Sequence, residues 1–346
     1  MKTTKKVLHE LPFAYSILVY ESKRGKRVIA ATQGRMEPGQ TGCISFNALD
    51  GSALETVWST PGGTMTIVSI NESEEFFVTH EFYRGFEARK AKVVHVKRND
   101  DGTYTCNNYI DIPFLHRFCV MTVEDEKWIV GATLCDDKDN RDDWSKAGRI
   151  YAGRLEYPKP CDFKEIKGGI FKNHGLYHGP HNQKPQVAIF SGIEGAFEVI
   201  PPVKKNGDWK VEQLLQFEIS EIRVFDFDGD GVDELVTIEC FHGDRLNIYK
   251  KTDTGYEKVY SYPVAFGHAI WCGKIFGRPS ILIGYNQANV ALYLLTLKKV
   301  SPFSMEVTML DELEGYQNLD VWDDGKYFRI YTAGASGKII MYTLEE

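Results

Sequence analysis

No stretch of the 346-residue sequence sustains a helical period, which excludes a helical bundle and any α/β arrangement with regular crossover helices. No apolar run is long enough to span a bilayer as a helix. Basic excess is also missing: the formal charge is −7 and the pI near 5.8, which argues against nucleic acid or an anionic membrane surface as the main partner. There is no CxxC pair, so a zinc ribbon is excluded. The seven cysteines are odd in number, scattered and mostly inside strand-like segments, as expected of reduced thiols in a cytoplasmic protein. The basic start, Met1 to Lys6, is followed by an apolar segment too short for a secretory signal and lacking a small-x-small site. No Gly-x-Ser-x-Gly elbow and no phosphate-cradling glycine loop occur, which disfavours acyl-transfer and nucleotide chemistry.

What the chain does contain is a strand-and-turn pattern that recurs. The ends of one strand in each unit fall at Ala31, Val78, Ala132, Phe190, Ile238, Gly284 and Thr332, separated by 47, 54, 58, 48, 46 and 48 residues. That spacing suits a four-stranded propeller blade of ~40–50 residues. The expected fold is all-β: one seven-bladed β-propeller of four-stranded blades in a single domain over residues 1–346. The last blade, ending in the strand Lys338–Thr343, lacks a fourth strand, whereas Lys6–Leu11 is a surplus one. Pairing them closes the ring and removes two exposed sheet edges.

The most distinctive stretch runs from Asp226 to Leu235, Asp-Phe-Asp-Gly-Asp-Gly-Val-Asp-Glu-Leu. Gly229 and Gly231 permit a tight curl that converges the carboxylates of Asp226, Asp228 and Asp230. With the Val232 carbonyl and Glu234 they offer a hard cation such as Ca²⁺ an oxygen-rich site. The helix-loop-helix calcium pattern is excluded, because its twelfth position is Thr237 and the flanks read as strands. This hairpin resembles those of FG-GAP/VCBS-type repeats over about a dozen residues. The resemblance implies a propeller with Ca²⁺ held structurally in the hairpin, although Glu234 stands where Asp is commoner.

Of nine histidines, five map to the loops at the opposite end of the blades: His116, His174 and His268 entering first strands, and His80 and His242 following second strands. First strands line a propeller's axis, so these imidazoles are expected to converge on the channel mouth. Two chemistries remain open there. His116, His174 and His268 can ligate a transition metal such as Zn²⁺ or Mn²⁺. Alternatively, the five histidines can act without metal as general base and acid. Arg35, Glu81, Arg84, Arg117, Glu194 and Gln287 fall in the same loops as candidate substrate-binding groups, the arginines through paired hydrogen bonds to a carboxylate or sugar oxygen. For any one of these residues, a satisfied polar lining is the plainer account. Three further features are discounted. His174 and His178 are too far apart along a strand to share an ion. The Asp136–Asp143 loop lacks the glycines of a calcium site and reads as a solvated rim over the mouth. Trp144 at its end would offer a platform for sugar stacking.

First-strand histidines, an Asp-Gly hairpin and Phe241-His242-Gly243-Asp244 together resemble the propeller domain of aldos-2-ulose dehydratase-type lyases. That resemblance implies metal-assisted elimination of water from a keto-sugar, although the cupin portion of those lyases is absent. The expected function is therefore a lyase or dehydratase acting on a small carbohydrate. The alternative is a non-catalytic ligand-binding or protein-interaction propeller carrying only a structural Ca²⁺.

Overall fold

The structure, a computed structural model, describes residues 1–71, 74–287 and 289–346. In chain order the strands begin with β1 (Lys2–Glu10), β2 (Ala14–Ser22), β3 (Gly25–Thr32), β4 (Cys43–Asn47) and β5 (Glu55–Trp58). Next come β6 (Ile67–Asn71), β7 (Glu75–His80), β8 (Lys92–Arg98) and β9 (Tyr104–Asp111). The middle of the chain forms β10 (Leu115–Val123), β11 (Glu126–Thr133), β12 (Gly148–Arg154), β13 (Lys164–Ile170), β14 (Gly175–His181), β15 (Lys184–Gly192), β16 (Gly195–Ile200) and β17 (Lys210–Leu215). Then follow β18 (Glu221–Phe225), β19 (Glu234–Glu239), β20 (Arg245–Thr252), β21 (Gly255–Pro263), β22 (Gly267–Ile275), β23 (Arg278–Tyr285), β24 (Leu292–Lys299) and β25 (Ser304–Asp311). The chain ends with β26 (Tyr316–Asp323), β27 (Phe328–Gly334) and β28 (Lys338–Glu345).

These strands make seven four-stranded antiparallel sheets, the blades of a β-propeller. Among the described residues no helix is long and apolar enough to cross a membrane. In the third blade the outer strand, Lys164–Ile170, reads KEIKGGI, charged and glycine-rich, and so carries little strand signal in its sequence. The chain divides into two compact units, Met1–Leu115 with Leu313–Glu346, and His116–Glu312.

In the first unit, β1 pairs antiparallel with β28, from Lys2 opposite Glu345 to Glu10 opposite Lys338, with a bulge between Val7 and His9. It supplies the outer strand that the last blade lacks. β1 is mostly solvent-exposed, yet it covers an edge, and its bulge and lysines discourage further pairing. The second strand of the first blade, β3, shows why such runs are continuously apolar. Val28 and Ala30 point into a core shared with Tyr331, Ile339 and Met341, whereas Ile29 and Ala31 point into one shared with Phe76, Val78 and Val94. Alternate side chains face opposite sides of a strand, so a strand buried on both faces has no polar phase.

The second unit repeats the arrangement. On β15, Ala188 and Phe190 join Val130, Ala132 and Ile150 in one core, and Val187 and Ile189 join Ile222, Val224 and Leu235 in the next. β18 packs against β14 on one side and β22 on the other as neighbouring first strands. Their entry ends carry the residues described next.

A histidine cluster and an acidic hairpin as candidate functional sites

Four of the candidate histidines meet in the second unit. His116 is the second residue of β10, His174 immediately precedes β14, His242 follows β19, and His268 is the second residue of β22. The ligating nitrogens of His174, His242 and His268 all lie within 4.8 Å of one another. The Nε2 atoms of His174 and His242 are 3.1 Å apart, so one carries the proton the other accepts. His268 crosses His174 edge-on at a centroid distance of 5.5 Å and lies 5.2 Å from His242. His116 packs against the other side of His174 at 4.6 Å and is not one of the three converging ligands.

The trio is oriented by a carboxylate. Glu221, the first residue of β18 and 2 % exposed, brings its Oε1 to 2.9 Å from Nδ1 of His174, which also lies 3.3 Å from the Ser220 carbonyl oxygen. This leaves Nε2 of His174 directed at its neighbours. Burial by itself raises a carboxyl pKa. Here the hydrogen bond from His174, with the charges of His174, Arg117 and Arg223, outweighs burial and holds Glu221 down at about 2. Arg117 stands 3.8 Å and Arg223 3.5 Å from that carboxylate. Arg223 is otherwise spent on backbone carbonyls of Ile270, Leu176 and Ile222. Burial, reinforced by neighbouring positive charge, pushes His116 and His242 well below the usual histidine range, so both are neutral imidazoles. Neutral imidazoles, one held by a carboxylate on its far nitrogen, are the donor set of a transition-metal site.

His242 is the half-buried member of the trio; His174 and His268 are buried. Phe241 and Phe266 flank it at 4.2 and 4.7 Å. Phe266 has φ +52°, and so do its counterparts Phe13 (φ +55°) and Phe114 (φ +59°), each preceding a first strand. A left-handed aromatic two residues before the pocket residue is thus a recurring entry device of the blades, not strain particular to this site.

The other candidates lie elsewhere. His80, in the first unit, is buried against Trp58 at 4.8 Å and pushed down to about 3 by burial and by Lys92. In that unit Arg35 pairs with Glu87 at 2.6 Å over the Tyr83 ring, Glu81 pairs with Lys92 at 2.6 Å, and Arg84 is exposed. In the second unit Glu194 accepts the Phe171 backbone N–H at 2.8 Å, Gln287 is exposed, and His181 pairs with Glu198 at 2.5 Å. Sequence reading missed the roles of Glu221, Phe241 and Lys172. Glu221 had a signal, since it opens a first strand in the register of His174 and His268.

The Asp-rich hairpin joins β18 to β19, at the strand ends away from the histidines, with about 15 Å of strand between. Gly229 (φ +76°) and Gly231 (φ +83°) take the left-handed conformation, and Asp226 accepts both their N–H groups at 2.7 and 3.0 Å. Asp230 accepts the Val232 N–H at 2.8 Å, the Asp233 carboxylate accepts the Asn182 N–H at 2.6 Å, and the Asn182 side-chain oxygen accepts the Asp233 N–H at 2.9 Å, tying the hairpin to the neighbouring blade. Oxygens of Asp226, Asp228 and Glu234 lie within 4.8 Å of one another. Lys250, on β20, brings its ammonium onto Asp228, to 2.8 Å from Asp230 and 3.8 Å from Glu234. Burial, with the charges of Asp228 and Asp230 adding, pushes the Glu234 carboxyl up to about 7. Its Oε1 is buried and accepts no hydrogen bond. One ammonium therefore leaves this carboxylate group under-neutralised, and its oxygens fit a further cation.

No family model matches the sequence, and no curated protein matches it. Solved structures do. The chain is similar to a glucose dehydrogenase (14% identity, 99% of each chain, TM-score 0.54). It is also similar to a putative 6-phosphogluconolactonase from Bacteroides uniformis (10% identity, 94% of each chain, TM-score 0.54). A chain of the mitotic checkpoint complex matches as well (11% identity, 98% of this chain and 93% of that one, TM-score 0.60). At these identities the likeness is one of fold, and the fold is shared by sugar-metabolising enzymes and by non-enzymes alike.

Proposed function

We propose that this propeller is a metal-assisted enzyme of the lyase or dehydratase type, acting on a keto-sugar or related sugar derivative at the histidine cluster of its second unit. The observation that carries the reading is the convergence of His174, His242 and His268 within 4.8 Å, with His174 oriented by the buried Glu221. His174, His242 and His268 would hold a Zn²⁺ or Mn²⁺ ion, which would supply Lewis acidity to a substrate carbonyl. The protein's part would be to keep His242 neutral, to hold His174 beside the Glu221 carboxylate, and to leave His242 as the approachable member. Elimination removes the proton α to the carbonyl. Its electron pair becomes the C=C bond, and the β-hydroxyl departs as water after taking up a proton.

One observation favours a metal-free version of the same step. Glu221, His174 and His242 stand in series, an ion-pair contact at 2.9 Å followed by a hydrogen bond at 3.1 Å. In it, neutral His242 accepts the proton, and the Glu221 carboxylate stabilises the resulting charge through His174. A second, structural site belongs to the same reading. We propose Ca²⁺ at Asp226, Asp228, Asp230 and Glu234, in the manner of FG-GAP/VCBS repeats, at the cost of displacing Lys250.

Elemental analysis of the purified chain tests the enzyme reading. A transition metal near one per chain is expected, lost in the His174→Ala/His242→Ala double variant while circular dichroism stays unchanged. Calcium alone in both proteins, with no sugar turnover in either, would leave a binding propeller.

A further inference from the structure

The fixed charges around the histidine cluster do not balance. Arg117 and Arg223 flank the Glu221 carboxylate, and Lys172 adds a third positive charge beside Phe241. The two arginines are committed to Glu221 and to backbone carbonyls. Lys172 is not committed. It sits two residues before His174, half-buried, with its ammonium 5.2 Å from the centroid of Trp144 and 5.2 Å from that of Phe241. Phe241 in turn touches His242 at 4.2 Å and His174 at 5.3 Å. Among the described residues Lys172 makes no ion pair. Of the acids in the adjoining loop, Asp136 pairs with Arg149 at 3.4 Å, Asp137 pairs with Lys146 at 3.0 Å, and Asp143 accepts the N–H groups of Asp139 and Ser145. Two aromatic faces hold a cation in place and partly replace its water, but they do not cancel its charge. A cleft lined by one sign of charge concentrates ligands of the other.

We propose that Lys172 anchors an anionic group, a carboxylate or a phosphate, on the sugar that this site takes. Trp144 and Phe241 hold the ammonium between the rim loop and the histidines, one ring's width from His242. The inference rests on the reading of the histidine cluster as a sugar site and adds to it the charge of the substrate. It also gives Trp144 a role other than sugar stacking: with Lys138 at 3.6 Å on its ring, it positions the cationic rim.

The test is calorimetric binding of D-gluconate, D-glucose 6-phosphate and D-glucose to the full chain. The proteins are wild type, Lys172→Met and Lys172→Arg, each in EDTA and after loading with zinc, with bound zinc measured in every sample. In wild type at least one anion is expected to bind about tenfold tighter than glucose, and added salt should erode that preference. Lys172→Met removes the preference without changing bound zinc, and Lys172→Arg keeps most of it. The gluconate and phosphate arms tell which anion is read. Equal affinity for glucose and both anions in wild type, an anion preference that survives Lys172→Met, or no binding of any probe at millimolar concentration overturns the inference. Failure to bind zinc sinks the metal reading instead, and the EDTA series still reports on Lys172.

Discussion

Replacing Lys250 with methionine should make the stability of this protein depend on calcium. In wild type its ammonium lies among Asp228, Asp230 and Glu234, whose side chains are 6, 43 and 1 % exposed. The pair with exposed Asp230 contributes at most ~1 kcal/mol. Breaking the contacts to the two buried carboxylates is the larger effect. Fully buried pairs cost about 3–5 kcal/mol to break, and the partial exposure of Lys250 lowers this to about 2 kcal/mol. For a chain of this length that is a fall in melting temperature of roughly 3 °C in EDTA. Calcium at a hundredfold excess over its dissociation constant returns about 2.7 kcal/mol, so the variant recovers in calcium. Wild type responds less, because the ion must first displace the ammonium. The assay is thermal unfolding of both proteins in EDTA and in a calcium series. A Lys250→Met protein that melts with wild type in EDTA and ignores calcium would refute both the assigned role of Lys250 and the proposed ion site.

Three other outcomes are expected. The folded pKa of Glu234, about 7, lies above the unfolded value of ~4.3, so the folded state keeps a proton that the unfolded chain has lost between those limits. In EDTA, stability should therefore decline by about 3 kcal/mol as pH rises from 4.3 through 7; Glu234→Gln should flatten that decline and calcium should oppose it, and identical pH profiles for variant and parent would sink this account. Glu221→Gln keeps the shape but loses the charge that orients His174, and should weaken zinc binding by about 10–100-fold in a competition titration; an unchanged affinity would separate Glu221 from the metal. Deleting Lys2–Glu10 bares the edge of β28 and should raise the weight-average mass seen by light scattering; a variant as monodisperse as its parent would count against the edge-covering role of β1.

Much of the fold was legible in the sequence, because it depends on local alternation. Runs such as Val28-Ile29-Ala30-Ala31 and Val187-Ala188-Ile189-Phe190 announce strands buried on both faces, and their regular spacing announces the blades. The curl of the acidic hairpin was equally local, fixed by Gly229 and Gly231 between alternating carboxylates. The blade-three edge strand was hidden, since an outer strand needs little apolar sequence.

Position at one end of the blades could be counted from sequence, and counting placed His116, His174 and His268 before first strands and His80 and His242 after second strands; the structure brings together all of these but His80. Which of their nitrogens converge, and that Glu221 holds one of them, depends on side-chain directions contributed by residues far apart in the chain. The same holds for Lys250, which reaches the hairpin from the next strand, and for Lys172, whose charge is left over only because the nearby acids have turned to other partners. Periodicity along a strand is enforced by the backbone and can be read residue by residue. Neutralisation of a charge is settled by distances across the fold, and only the tertiary structure fixes those.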